Sequence, residues 1–434
     1  MKLKKLIGVM TVAGFVLPGV AMATNGYFSS GYGMKANGMG GAATAMADDA
    51  FGGANNPASM VFAGDQLNLG ISLFSPKRSA SRTGSAGSGG AMDPGRNFSQ
   101  SSDSNYFPIP EFGYNKMLNP NMSLGVTVYG NGGMNTDYAG GTIPANYCGA
   151  GTPASNALCG QGRLGVDLMQ LIVAPTVAFK IAPNHSIGIS PLIGYQSFKA
   201  DGLQAFATST RSSSPNNVTN RGYDQSYGYG LRIGYMGKIT PTITIGAAYA
   251  TKMNMQKFDR YKGLFAEQGA FDMPENYNLG IAYQATPELT LALDYQRINY
   301  SGVKSISNSS SNQAQLGTSG GPGFGWQDID VWKLGMAYQY NKHWTLRAGY
   351  NHGDNPIQAK DVTFNILAPG VVKDHATLGV TYLTSAGNEL TVSYMHAFEN
   401  TVSGPAAPPP NGFGGTETIK MYQNSIGVAY AWKM

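Results

Sequence analysis

The chain has 434 residues, of which only 12% are charged, and a net charge of +5. That is long enough for a large domain but poor in charge for a surface facing water throughout. The small positive excess is spread along the chain with no Lys/Arg block beyond the leader, which argues against a nucleic-acid partner.

Residues 1–23 open with lysines, continue as an apolar run from Leu6 to Val20 and end in Ala21-Met22-Ala23. This reads as a secretory signal peptide cleaved before Thr24, because the run is short for a spanning helix and a small-residue site follows it. Beyond Ala23 no apolar run approaches the roughly 18 to 20 residues of a transmembrane helix, so a helical membrane protein is disfavoured and a barrel stays open.

Residues 24–64 are rich in Gly and Ala and contain GMGGAATAMADDAFGGANNPASM. They read either as a flexible linker or as a compact plug. For the plug, Met39, Ala43, Met46 and Ala50 recur at the spacing of one helical face, which Asn56-Pro57 then breaks. The glycines match no nucleotide loop, since neither the dinucleotide pattern nor Gly-Lys-Ser/Thr is present.

From Leu67 onward the pattern has period two, as in MSLGVTVY from Met122, YNLGIAYQ from Tyr277, WKLGMAYQY from Trp332 and the terminal SIGVAYAWKM. Six very short connections, around Asn119, Pro183, Ile239, Pro287, Asn341 and Ala386, alternate with seven long ones. The long ones cover roughly 76–105, 132–165, 199–225, 253–273, 301–327, 354–374 and 400–419. Strict alternation of tight turns and long loops is the mark of an outer-membrane barrel, here an all-β, 14-stranded antiparallel one with strands of about 9 to 12 residues. Trp332, Tyr338, Trp344 and Tyr350 on the outward series suit an aromatic girdle. Ile426, Val428, Tyr430, Trp432 and Met434 resemble a last-strand signal for the barrel-assembly machinery.

Cys148 and Cys159 are the two cysteines, both in a Gly/Pro/Ala-rich connection with no histidine near. In an exported chain they read as one disulfide tying a loop, and no metal site is expected.

FSSGYGMKANGMGGAATAMADDAFGGANNPASM followed by DQLNLGISLF resembles the N-terminal hatch and first strand of the FadL/TodX family of outer-membrane transporters for long-chain fatty acids and aromatic hydrocarbons. The stretch GWQDIDVWKLGMAYQYNKHWTLRAGYNHGDNPI is similar to a second set of that family's landmarks. The resemblance implies residues 24–64 as a hatch inside the lumen of a barrel formed by 65–434, in the outer membrane of a Gram-negative cell. It implies uptake of a long-chain fatty acid or another lipophile, with aromatic hydrocarbons as the alternative; because an outer membrane offers no nucleotide energy and the plug is short beside those of energised receptors, the uptake is expected to be passive. No cofactor and no catalysis are expected; the expected surroundings are outer-membrane lipid and lipopolysaccharide, and the expected state is a monomer.

In loop four, Met255, Phe258, Tyr261, Leu264 and Phe265 stand at helical spacing and read either as an amphipathic helix presenting a greasy face or as one packed onto the barrel rim. The resemblance makes loop three, with Leu203, Ala205 and Phe206, the facing wall of a capture groove. Burying about a dozen methylenes at roughly 0.8 kcal/mol each holds a ligand tightly before entropy costs are subtracted, so release needs a moving part. The family mechanism assigns that movement to the hatch N-terminus, Thr24, Asn25, Gly26, Tyr27 and Phe28, with Asp48, Asp49, Asn56, Pro57 and Ala58 as further hatch landmarks. It places the exit at a wall opening beside the third strand, where Gly130, Gly132 and Gly133 permit a bend; Pro175 and Pro191 also interrupt strands. Parity points Arg232, Lys333 and Arg347 inward, either to meet a carboxylate headgroup or to pair with Asp294, Asp48 or Asp49.

A hydrolase would need a nucleophile beside a base, and of the histidines only His352 in NHGD stands in a suggestive cluster. An adhesin or phage receptor is a possible side role for the long loops.

Overall fold

The computed structural model describes residues 24–85, 95–406 and 414–434. The expected signal peptide lies outside the described residues. Fourteen antiparallel strands close into one barrel. They are β1 (Gln66–Thr83), β2 (Phe107–Asn119), β3 (Met122–Tyr138), β4 (Leu164–Ala182), β5 (His185–Asp201), β6 (Asp224–Lys238) and β7 (Ile243–Ala250). The second half is β8 (Asn276–Gln284), β9 (Leu289–Ile298), β10 (Ile329–Gln339), β11 (Trp344–Gly353), β12 (Asp374–Leu383), β13 (Glu389–Pro405) and β14 (Thr416–Lys433). Closure is complete because β14 pairs with β1 from Gln66↔Lys433 to Thr83↔Thr416. A closed barrel leaves no sheet edge to satisfy inside a bilayer.

The side-chain period of two sets the two faces. Leu69, Ile71, Leu73, Leu334, Leu346, Leu378 and Ile426 point out and are exposed, as they must be to meet lipid. Trp332, Tyr338, Trp344 and Tyr350 also face out, where amphipathic rings sit at the membrane interface.

The barrel is uneven in height. β1, β4 and β14 run 18, 19 and 18 residues, whereas β7 to β12 run 8 to 11. The expected strand length of 9 to 12 therefore holds on one side only. On the other side β1, β3 and β13 continue into residues read as loop: in β1 and β13 the outward residues there are mainly Ser, Lys and Thr, so the hydrophobic contrast fades, and in β3 the continuation is buried on both faces. Loops from the short side fill the space and bury one large apolar cluster that includes Phe198, Phe265, Phe324 and Ile366.

Residues 24–63 lie within the barrel and are almost wholly buried. Their first helix is Met34–Asn37, not a stretch over 39–50; Met39 and Met46 instead pack with Ala42 in turns. Asn56-Pro57 begins a helical turn rather than ending one: the Asn56 side chain accepts the Ala58 N–H at 3.1 Å, capping Pro57–Ser59, which leads into the helix Met60–Ala63. The tight glycine-rich path explains both differences, since glycine disfavours helix and the backbone hydrogen bonds go instead to the wall. The N–H groups of Ala43 and Thr44 both donate to Asp294 Oδ2 at 2.8 Å, and that of Gly40 donates to Thr377 Oγ1 at 2.8 Å. Lys35 pairs with Glu389 at 2.7 Å. Wall glycines make the seat: a Cβ on Gly246 would stand 2.0 Å from the Thr44 carbonyl oxygen.

Candidate functional site

Three features bear on passage of a ligand. The outermost is an apolar groove of about 520 Å³ of empty volume among the loops. Leu203 and Phe206 line it from the connection after β5, Leu264 and Phe265 from that after β7, and Leu316 and Phe324 from that after β9. The two expected walls therefore face each other, and a third, unforeseen one closes the groove. The expected amphipathic helix is not formed; residues 259–261 make one 3₁₀ turn and 266–269 a short turn in which Glu267 and Gln268 have positive φ. Phe258 and Tyr261 are buried beneath the groove, because the Tyr261 hydroxyl donates to the Gly222 carbonyl at 2.7 Å and accepts the Ala200 N–H at 3.1 Å. Burial raises the Tyr261 pKa. Met255 points elsewhere, into a cluster with Met253, Met273, Tyr129 and Tyr32.

Below the groove is a pocket of about 260 Å³ of empty volume, lined by Gly26, Tyr27, Arg78, Met134, Trp326 and Met421 among others. The start of the described chain forms part of it. The Thr24 hydroxyl donates to the Phe28 carbonyl at 2.7 Å, the Tyr27 N–H donates to the Tyr300 hydroxyl at 3.1 Å, and that hydroxyl donates to the Asn25 carbonyl at 2.6 Å. Tyr27 meets Tyr300 edge-on at 5.3 Å and lies 5.8 Å from Trp326. Gly26 has φ of 65°, and a Cβ there would strike the Tyr300 hydroxyl, so only glycine passes this point.

Arg78 is the cation of this pocket and was not among the residues expected. It is 5% exposed; one nitrogen donates to the Asn135 carbonyl, while Nε and the other terminal nitrogen have no hydrogen-bond partner. Its signal was parity: Phe74, Pro76, Arg78 and Ala80 continue the inward series of β1. Reading residues from 76 onward as loop hid it.

The third feature is in the wall. β2 and β3 pair only from Asn119↔Met122 to Phe112↔Val128, although β2 reaches back to Phe107 and β3 on to Tyr138. From Tyr129 to Thr136 every residue of β3 is buried, so both its faces have turned inward. The pairing of β3 with β4 slips between Gly130 and Gly132, leaving Asn131 as a bulge. Gly130, Gly132 and Gly133 thus surround the bend. Pro108 and Pro110 stand in the part of β2 that keeps its pairing with β1 but has lost β3, and neither has an N–H to donate to a new partner. Phe74, Phe107, Ile109 and Met395 form an apolar cluster beside it. Pro175 and Pro191 face each other across β4 and β5, where pairing lapses between Val173↔Ile193 and Val177↔Ile189.

The three expected cations do not share a site. Arg347 donates to Thr381 Oγ1 at 2.6 Å, whereas Arg232 and Lys333 line a separate polar cavity against the N-terminal segment. Among the described residues none of the three makes an ion pair with Asp294, Asp48 or Asp49, since Asp294 is engaged by the Ala43 and Thr44 amides and Asp49 Oδ1 accepts the Phe51 N–H at 3.0 Å. Asp48 offers its carbonyl to Lys35 at 2.9 Å. Cys148 and Cys159 form the expected disulfide, with Cα atoms 5.5 Å apart, in the connection after β3.

The fold is shared with solved structures. Over 93% of this chain and 99% of the other, it matches the toluene transporter TodX of P. putida with a TM-score of 0.67 at 19% identity. It matches a FadL homologue of Pseudomonas aeruginosa over 94% and 99% with a TM-score of 0.67 at 16% identity. The toluene transporter TbuX of Ralstonia pickettii matches over 93% and 99% with a TM-score of 0.64 at 18% identity. No curated protein matches the sequence. The family model described as outer membrane protein transport protein (OMPP1/FadL/TodX) matches residues 11–407. With a closed barrel, a lipid-facing belt and a match over nearly its whole length, this chain belongs to the OMPP1/FadL/TodX family of outer-membrane transport proteins.

Proposed function

We propose that the protein takes up hydrophobic molecules by downhill diffusion, and that long-chain fatty acids are its principal cargo. A ligand lands in the loop groove, passes to the pocket beside Tyr27 and leaves through the wall between β2 and β3. Residues 24–28 are the movable element, because their backbone forms one side of the pocket. The exit into the membrane spares the chain a passage through periplasmic water. Burying about a dozen methylenes at roughly 0.8 kcal/mol each is the gross driving force, before the cost of ordering is subtracted.

The observation that carries the fatty-acid reading is Arg78. A guanidinium with two unpartnered nitrogens in an otherwise apolar pocket is costly unless an anion completes it, and a carboxylate on a long apolar chain matches both parts. Arg78 also stands 5.7 Å from the Phe107 ring, next to the wall gap. Uptake of monoaromatic hydrocarbons is the second reading, favoured by the Tyr27 and Trp326 rings that line the pocket, with Tyr300 packed against both.

The experiment is binding of radiolabelled oleate and of toluene to the purified protein and to Arg78→Met, which keeps the apolar stem. Oleate binding weakened by about tenfold or more, with toluene binding held within about threefold, supports the carboxylate reading. Toluene binding without oleate binding in the unaltered protein overturns it and leaves the hydrocarbon channel.

A further inference from the structure

We infer that the polar cavity between the N-terminal segment and β6 to β10 binds a small inorganic anion of halide size, which fastens the segment to the wall. The cavity holds about 330 Å³ of empty volume. Its wall side is Arg232 on β6, Asn276 and Asn278 on β8, Gln296 on β9 and Lys333 on β10. Its other side is the segment itself, including Ser29, Gly41 and Thr44. The inference stands apart from the cargo path, which uses Arg78 and the pocket beside Tyr27.

Charge balance is the first argument. Arg232 is 3% exposed and Lys333 5%. Lys333 has no hydrogen-bond or ion-pair partner among the described residues, Arg232 Nε has no hydrogen-bond partner, and Arg232 Nη1 donates to the Gly53 carbonyl at 3.3 Å. The nearby carboxylate is Asp294, directly across from Lys333 in register, and its Oδ2 already accepts two N–H groups of the segment. Asp294 Oδ1 is itself buried without a hydrogen-bond partner, so one carboxylate stands against two buried cations and the cluster keeps a net positive charge that needs a counter-charge.

Hydrogen-bonding chemistry is the second. Lys and Arg offer donors alone, so their missing partner is an acceptor. Asn276 Oδ1 and Gln296 Oε1 are buried without partners, and a flip of either amide turns a donor into the same space. The lining has few apolar side chains, Phe28, Tyr32 and Ala54, which suits a compact anion better than a lipid headgroup with its acyl chain. Held by Lys333 and Arg232 on one side and by the segment on the other, the ion resists the segment's withdrawal.

Crystals soaked in bromide test the site on the unaltered protein. The expected result is an anomalous peak between Lys333 and Arg232, and a cavity without one overturns the proposal. In solution, hydrogen exchange of residues 38–56 is followed with chloride replaced by gluconate at constant ionic strength. Chloride at ten times its half-saturating concentration slows exchange about tenfold by mass action. That dependence is lost in Lys333→Gln and in Arg232→Gln. Dependence unchanged in both variants overturns the assignment. Oleate giving the same protection while chloride gives none makes the cavity a headgroup site and equally overturns it, whatever the outcome at Arg78.

Discussion

Phe28 and Gly132 form an antiparallel bridge, and the neighbouring Ser29 N–H donates to the Asn131 carbonyl at 3.2 Å. The element that closes the pocket is therefore hydrogen-bonded to the strand bend beside the wall gap. Movement of residues 24–28, proposed above as the gate, would pull on the bulge at Asn131 and so couple that gate to the proposed exit.

Tying the two together makes the unit rigid. With Phe28→Cys and Gly132→Cys joined as a disulfide, cargo uptake by proteoliposomes falls at least about tenfold and returns on mild reduction, as expected when a gating element is locked. Uptake by the unaltered protein with the same reductant is the reference. A locked variant that transports at the normal rate would show that this segment does not gate.

The groove acts by apolar area. Leu264→Asp and Leu316→Asp each place a charge among the groove side chains. Burying that charge cancels several methylenes of contact at roughly 0.8 kcal/mol each, so capture of oleate slows by about tenfold or more. Thermal stability is expected to fall for Leu316→Asp, since Leu316 is buried in a cluster shared with the strand residues Val166 and Phe198, and less for the partly buried Leu264→Asp. Stopped-flow binding and a melting curve read the two effects separately.

The seat of the N-terminal segment depends on bare wall. A Cβ at Gly349 would lie 2.1 Å from the Gly40 nitrogen, and one at Gly246 would collide with the Thr44 carbonyl. Gly349→Val and Gly246→Val should unseat the segment while the barrel still closes. Single-channel recordings should then show an enlarged and noisy conductance, and protease should cut within residues 38–56. Closed channels with a protected segment would refute the steric argument.

Loop coupling over the groove depends weakly on pH. Lys304 pairs with Glu267 at 2.8 Å, joining the connection after β9 to that after β7, and its ammonium holds the Glu267 carboxyl below its ordinary range. A depressed carboxyl pKa stabilises above the unfolded value and loses that contribution as pH falls through the folded value. Both side chains are well exposed, so the effect is at most about 0.5 kcal/mol and is screened by salt. Affinity for a lipophile without a carboxyl, such as oleyl alcohol, should therefore drop no more than about threefold on acidification through the carboxylate range, and Glu267→Gln should remove that drop.

The sequence by itself determined the barrel, its strand count, its girdle and its disulfide, because each depends on local rules. A period of two, turn-forming pairs such as Pro183-Asn184 and the alternation of short and long connections are readable without knowing what packs on what. The lumen was decided by tertiary structure. Parity made Arg232, Lys333 and Arg347 inward, but which of them share a cavity depends on distant strands and on the path of residues 24–63. Arg78 went unseen because β1 rises beyond the bilayer, where water replaces lipid outside and the outward residues no longer contrast with the inward ones. The segment's turns replaced the expected helix for a related reason: its backbone partners, Asp294, Thr377 and Asn131, are supplied by strands far away in the chain.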